Sequence, residues 1–109
     1  MSDQSGAPVS FSEVKPYDVV ETLGELRGPE HGVLHLPTEL AWGGRTEFDL
    51  DDAYDRTAVY KIVLEEGTRR HLRELISGRL LAAVWGQMRP ARQVRALWER
   101  QFPQLRASA

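Results

Sequence analysis

Five carboxylates crowd the stretch EFDLDDAYD, at Glu47, Asp49, Asp51, Asp52 and Asp55. Such a density of acids can gather a divalent cation, provided the side chains converge on one point. Their spacing argues against convergence. Asp49 stands where a helix N-cap is wanted, and Asp51, Asp52 and Asp55 fan around the start of the helix that follows. The cluster reads as capping plus an acidic surface, and no metal site is expected.

The histidines offer little more. His31 and His35 are four residues apart, a ligand spacing only if both ride one helix. They lie instead around Gly32 and an expected strand, without a third ligand, so one surface and one half-buried histidine are expected. His71 falls among Arg69, Arg70 and Arg73 and is expected to face solvent. The chain has no cysteine, which removes disulfides, thiolate zinc sites and cysteine nucleophiles together. It also lacks a glycine-rich phosphate loop, a nucleophile elbow and a paired His–carboxylate motif. No catalytic residue and no cofactor are expected; the chain should act by binding.

The opposite charge gathers at the other end, where RPARQVRALWERQF carries Arg89, Arg92, Gln93, Arg95 and Arg100. Residues 1–66 hold fourteen acids against five Lys and Arg, whereas residues 67–109 hold two acids against nine arginines. The whole chain is nearly neutral, with a formal charge of −2. Segregation of this kind suits nucleic-acid or charged-protein partners. The alternative is that the acidic half packs against the basic half and neutralises it. Where the late guanidinium groups go decides between the two.

The elements that must hold these residues are legible in part. At 109 residues the chain is one domain with a modest core. Residues 1–14 read as a disordered N-terminal tail, 15–105 as a single α-rich domain and 106–109 as a C-terminal tail. MSDQSGAPVS has neither a basic flank nor an apolar run, so no secretory signal is expected there. No run approaches a membrane span, and a cytoplasmic chain is expected.

KPYDVVETLGELRGP reads as a helix, with Val19, Val20, Leu23 and Leu26 on one face and Gly28-Pro29 as the stop; a strand through Val19 and Val20 is the rival. GVLHLP suits a strand ended by Pro37. ELAWGGRTEF suggests a hairpin turning at Gly43-Gly44, with Trp42 exposed and stacked against Arg45. A helix capped by Asp49 then runs to Gly67 as its C′ residue, with Ala58, Val59, Ile62 and Val63 inward. Thr68 caps RRHLRELI, and Leu72, Leu75 and Ile76 face the core. Ser77-Gly78 precedes RLLAAVW, Gly86 ends that piece, Pro90 starts the last helix and Pro103 stops it. Trp85 and Trp98 fall on inward stripes. The helices at Arg79–Trp85 and Pro90–Gln101, joined by GQMR, have the order of a helix-turn-helix. The expected fold class is α+β, mostly α: a small β-hairpin element followed by a compact bundle of three to four helices.

One set of motifs carries a resemblance. Leu26-Arg27-Gly28-Pro29, Leu34-His35-Leu36-Pro37, Trp42, FDLDDAYDR, Val59-Tyr60 with VLEEGT, Leu80-Leu81 with Trp85, and VRALWERQFPQL together cover about residues 23 to 105. This pattern resembles a group of small actinobacterial regulator or antitoxin-like proteins encoded beside nucleotidyltransferases of the abortive-infection toxin class. Members place Leu-Pro before the VR.LWE segment, whereas this chain has Met88-Arg89-Pro90. The resemblance implies an antitoxin that restrains a nucleotidyltransferase toxin by direct contact and regulates its own operon. The toxin-binding candidates are then Trp42, Glu47, Asp49, Asp51, Asp52 and Asp55, docking on a basic surface. The alternative is a DNA-binding transcriptional regulator that reads operator DNA with Arg89, Arg92, Gln93, Arg95 and Arg100. A second copy of the chain is a further possible partner; a membrane is not expected.

Overall fold

Local caps decide where the second half of the chain becomes helical. In a computed structural model, which describes residues 17–107, Asp52 takes the N–H of Asp55 (2.9 Å) and opens α1, Ala53–Glu66. Thr68 opens α2, Arg69–Leu75, and Ser77 opens α3, Gly78–Val84, by accepting from Leu80 N–H at 3.2 Å. A 3-10 turn, Trp85–Gln87, leads towards α4, Arg92–Gln101, and α5, Gln104–Ala107, follows. Ahead of the helices, β1, Val33–His35, pairs antiparallel with β2, Glu47–Asp49. The fold is α+β and mostly α, as expected. Among the described residues no helix is long and apolar enough to cross a membrane.

Several local expectations are corrected. Residues 17–27 are neither helix nor strand but extended chain around one 3-10 turn, Leu23–Glu25. Two long-range and local demands defeat the helix. Asp18 accepts the N–H of Arg69 at 2.7 Å and so serves α2, fifty residues on, rather than a helix of its own. Glu25 folds back onto the N–H groups of Glu21 (3.0 Å) and Thr22 (2.9 Å), which tightens the turn around Gly24. Val20 and Leu26 still reach the core from this irregular segment.

Asp49 is not the cap of α1. It ends β2, because Phe48 and Leu50 are both buried and keep the chain in strand alternation to that point. The Asp49 carboxylate instead takes the N–H of Asp51 at 2.9 Å. Gly67 closes α1 with a negative φ of −80°, not as a left-handed residue. Pro90 lies two residues before α4, whose N-cap is Ala91. Helix resumes after Pro103, and Leu105 of α5 is fully buried, so the described backbone is helical through Ala107. Residues 1–14, the expected tail, lie outside the described residues.

The hairpin exists, with different strands. Val33 stands opposite Asp49, Leu34 opposite Phe48 and His35 opposite Glu47. Gly43-Gly44 is therefore not a two-residue turn between adjacent strands. It lies in a longer connection with its own 3-10 turn, Thr38–Leu40, and Gly44 takes a positive φ of 87° there.

Leu34, Leu36, Phe48 and Leu50 line the inner face of the hairpin and pack on the helices. Trp85 and Trp98 are both completely buried, as their positions predict, and Trp98 tilts against Phe102 with ring centroids 5.7 Å apart. Tyr60 reaches from α1 to the α2–α3 junction, where its hydroxyl accepts the N–H of Ser77 at 2.9 Å. Burial pushes the Tyr60 phenol up to about 12, so it stays protonated and available as a donor too.

Candidate interaction surfaces

Two surfaces carry the residues singled out above. The first is built by the hairpin and the start of α1. Strand alternation sends Leu34 and Phe48 inward, so Val33, His35, Glu47 and Asp49 share the outer face. Four of the five candidate carboxylates there are engaged by the fold itself. Asp49 and Asp52 cap backbone N–H groups as described. Asp51 takes the N–H of Gly32 at 3.0 Å and pairs with the His31 ring at 2.9 Å. The His31 hydrogen bond first, and the Gly32 N–H second, hold its carboxyl below the usual range. Asp55 accepts from the Asp49 N–H at 3.0 Å and binds the Arg45 guanidinium; these two, in that order, depress it as well.

Glu47 differs. Among the described residues its one ionic partner is the exposed His35 ring at 3.4 Å, and no capping bond uses it. It is the acid of this cluster free to meet an outside charge. Among the described residues no group of three or more His, Asp or Glu side chains is arranged to hold a metal. The four aspartates fan apart because each is anchored to a different backbone amide.

Trp42 is 82% exposed, as its glycine-flanked position predicts. Arg45 does not stack on it. The guanidinium lies over Phe48, 4.3 Å from the ring centroid, because Asp55 pulls it across the hairpin. Two exposed apolar residues escaped the sequence reading: Val33 at 54% and Tyr54 at 75%. Both had a readable signal. Val33 alternates with Leu34 and Leu36, and at 100° per residue Tyr54 points roughly opposite the Val59, Tyr60 and Val63 stripe of α1.

The histidines are also redistributed. His35 is exposed rather than half-buried, since strand alternation turns it out beside Glu47. His71 is the reverse: its side chain is only 12% exposed. Its Nδ1 accepts the Thr68 N–H at 3.0 Å, and Nε2 donates to Glu39 at 2.9 Å. The ring closes the capping box of α2 and ties that helix to the β1–β2 connection.

The second surface is the C-terminal helix. Here the five candidates divide. Arg95 is a structural residue: it bonds the carbonyls of Trp85 (3.1 Å) and Met88 (2.9 Å), pairs with Glu99 (2.8 Å) and lies over the Trp85 ring. Glu99 also accepts the Trp85 indole N–H at 2.9 Å, which is the main cause of its lowered pKa. Arg89 wraps back onto the carbonyls of Gly86 and Met88, both at 3.2 Å. Arg92, Gln93 and Arg100 remain exposed on one face of α4, with no ion pair among the described residues. Arg106 of α5 is a further exposed arginine that the sequence reading left out; its charge acts on Glu99. Residues 85–91 separate α3 from α4, a longer link than the three- to four-residue turn of a helix-turn-helix.

No family model, characterised protein or solved structure matches this chain. The resemblance to antitoxin-like regulators therefore stands on its motifs alone, and the surfaces must be read from their own chemistry.

The late arginines answer the question of charge segregation in two ways. Arg73 pairs with Glu25 at 3.2 Å and Arg79 with Glu30 at 2.7 Å, so the middle of the chain is partly neutralised from within. Glu25, Arg27, Arg73 and Glu74 line an open groove of about 570 Å³ that mixes both signs. At the C-terminal end, Arg92, Arg100 and Arg106 make no ion pair with an early carboxylate among the described residues. Ion pairing between the two halves thus accounts for Arg73 and Arg79, and among the described residues for neither Arg92 nor Arg100.

Proposed function

We propose that this chain is an antitoxin-like binding protein whose hairpin and α1 start dock on a basic partner, acting by contact rather than catalysis. One observation carries the reading. All three exposed large apolar residues of the described chain, Val33, Trp42 and Tyr54, fall within residues 33–55, the same stretch that carries the five acids. Exposed aromatics inside a charged rim are the composition of a protein-binding hot spot. The resemblance supplies the class of partner, a nucleotidyltransferase toxin of the abortive-infection type, whose RNA- or nucleotide-handling groove would be basic.

The engaged carboxylates dictate the experiment. Reversing Asp52 or Asp55 would remove the α1 cap or the Arg45 clasp and report on folding. Glu47→Lys and Trp42→Ala leave both intact. Trp42→Ala should weaken binding to a nucleotidyltransferase toxin of that class by about 2 kcal/mol, roughly 30-fold. Glu47→Lys should slow association about tenfold at low salt, with the difference fading as salt rises. Both should keep the parent melting temperature. Co-expression reads the same effect as lost relief of growth arrest. If both variants bind and protect like the parent, this surface is not the docking site.

A second reading, DNA binding through α4, is favoured by Arg92 and Arg100, which are exposed and make no ion pair among the described residues. If it holds, Arg92→Ala combined with Arg100→Ala should lower the slope of log affinity against log salt for a short duplex by about two. A slope that does not change removes those two arginines from any DNA contact.

A further inference from the structure

The two edges of the small sheet are finished differently. The Leu36 N–H donates to the Thr46 carbonyl at 2.7 Å, and the Leu50 N–H to the Gly32 carbonyl at 2.8 Å. In an antiparallel ladder these contacts place Gly32/Leu50, Leu34/Phe48 and Leu36/Thr46 at the hydrogen-bonded positions. The main-chain groups of Val33, His35, Glu47 and Asp49 must then point away from the partner strand, towards the edges. On β2 three of the four are engaged: the Asp49 N–H goes to Asp55 at 3.0 Å, the Asp49 carbonyl accepts the Asp52 N–H at 3.0 Å, and the Glu47 carbonyl accepts from Arg45 Nε at 3.0 Å. Among the described residues, no group bonds the N–H or C=O of Val33 or His35.

Folded proteins ordinarily blunt such an edge with charge, proline or a covering segment. This chain does so on β2 and leaves β1 bare, beside the exposed side chain of Val33. We infer that the outer edge of β1 receives an extended strand of a protein partner, completing a three-stranded antiparallel sheet. Backbone bonds from Val33 and His35 supply the attachment, as in other cases of strand addition. Alternation sets the incoming sequence. Side chains on the face of Leu34 are apolar, and those on the face of His35 are long and basic, reaching across β1 to Glu47 and Asp49. Self-pairing of two β1 strands is the weaker fit. It uses the same outward groups of Val33 and His35 but brings no run of basic side chains to the acidic face. The basic character of the strand rests on the acidic-surface reading; its attachment to β1 does not.

The test uses the full chain and a synthetic probe, acetyl-Lys-Val-Lys-Val-Lys-amide. Titration should shift the amide resonances of Val33 and His35 saturably and slow their hydrogen exchange. The same peptide N-methylated on its lysine backbone amides should do neither. The glutamate analogue, with Glu for each Lys, should bind about tenfold more weakly at low salt. Val33→Pro should abolish binding while the melting curve stays close to the parent, since the lost N–H points away from β2. Equal response to the N-methylated peptide, or shifts confined to other residues, overturns the strand addition. Equal binding of the glutamate peptide overturns the charge assignment and the acidic-surface reading with it, while attachment to the edge survives. Concentration-dependent protection of the Val33 and His35 amides without peptide, together with dimer formation, assigns the edge to a second copy and overturns the partner strand.

Discussion

Gly28→Ala should destabilise the fold by about 3 kcal/mol, lowering its melting temperature by on the order of 15 °C. A Cβ at this position would sit 2.3 Å from the carbonyl carbon of Leu75, and 2.5 Å from both the Leu75 oxygen and the Ile76 nitrogen. All three are backbone atoms at the end of α2, so no rotamer change can make room. The segment cannot easily retreat either. The Arg27 N–H donates to the Arg73 carbonyl at 2.9 Å, the Gly28 N–H to the Ile76 carbonyl at 2.8 Å, and the Gly78 N–H to the Leu26 carbonyl at 3.4 Å. Relieving the clash means breaking this ladder, which joins the irregular N-terminal segment to the α2–α3 junction. Gly24→Ala is the control. Its nearest foreign atom is Thr22 Oγ1 at 4.0 Å, so the change should stay within about 1 kcal/mol of the parent. Urea denaturation of the two variants gives the comparison. Equal stabilities would mean that residues 26–28 do not pack as described.

That ladder also explains where the sequence could be read and where it could not. Thr68 and Ser77 each sit directly before the helix they cap, so α2 and α3 were legible from neighbouring residues. Asp18 caps α2 across fifty residues, and no local pattern reports such a bond. The acidic run was ambiguous in another way. Asp49, Asp51 and Asp52 are all competent caps, and burial of Phe48 and Leu50, a tertiary event, extends the strand and passes the role to Asp52. Arg95 shows the same limit within the candidate site. Its spacing from Glu99 was visible, but the Trp85 ring and carbonyl that enclose it come from another element. Trp42 was readable because flanking glycines alone argue against burial. The bare β1 edge was not, since it depends on Asp55 and Arg45 closing the opposite edge.

Acid should unfold this chain through the contacts that partly cancel its charge segregation. Glu25, Glu30, Glu39, Asp51, Asp55 and Glu99 all have folded-state pKa values below their ordinary 4.5 or 3.8. The causes differ: the Thr22 N–H leads for Glu25, Arg79 for Glu30, His71 for Glu39, His31 for Asp51, the Asp49 N–H for Asp55 and the Trp85 indole for Glu99. For each, the unfolded chain takes up its proton first as pH falls, so stability rises with pH across this range. The contribution is complete above the ordinary carboxyl values and drains away as pH drops through them towards the lower folded ones. Denaturation midpoints should therefore be level near neutrality and fall steeply from about pH 5 to pH 3, all six groups acting together. Arg79→Met tests the cause. The Arg79 hydrogen bond is the largest influence on Glu30, with Ser77 second, so the Glu30 carboxyl should titrate measurably higher by NMR and the acid slope should become shallower. Arg73→Met should move Glu25 less, because the Thr22 N–H outranks Arg73 there. A midpoint that stays level down to pH 3, or a Glu30 titration unmoved by Arg79→Met, would break the link between these ion pairs and the fold. The late arginines that pair with early carboxylates would then be ornaments of the surface, and the distinction between Arg79, which holds Glu30, and Arg92 and Arg100, which make no ion pair among the described residues, would lose its physical basis.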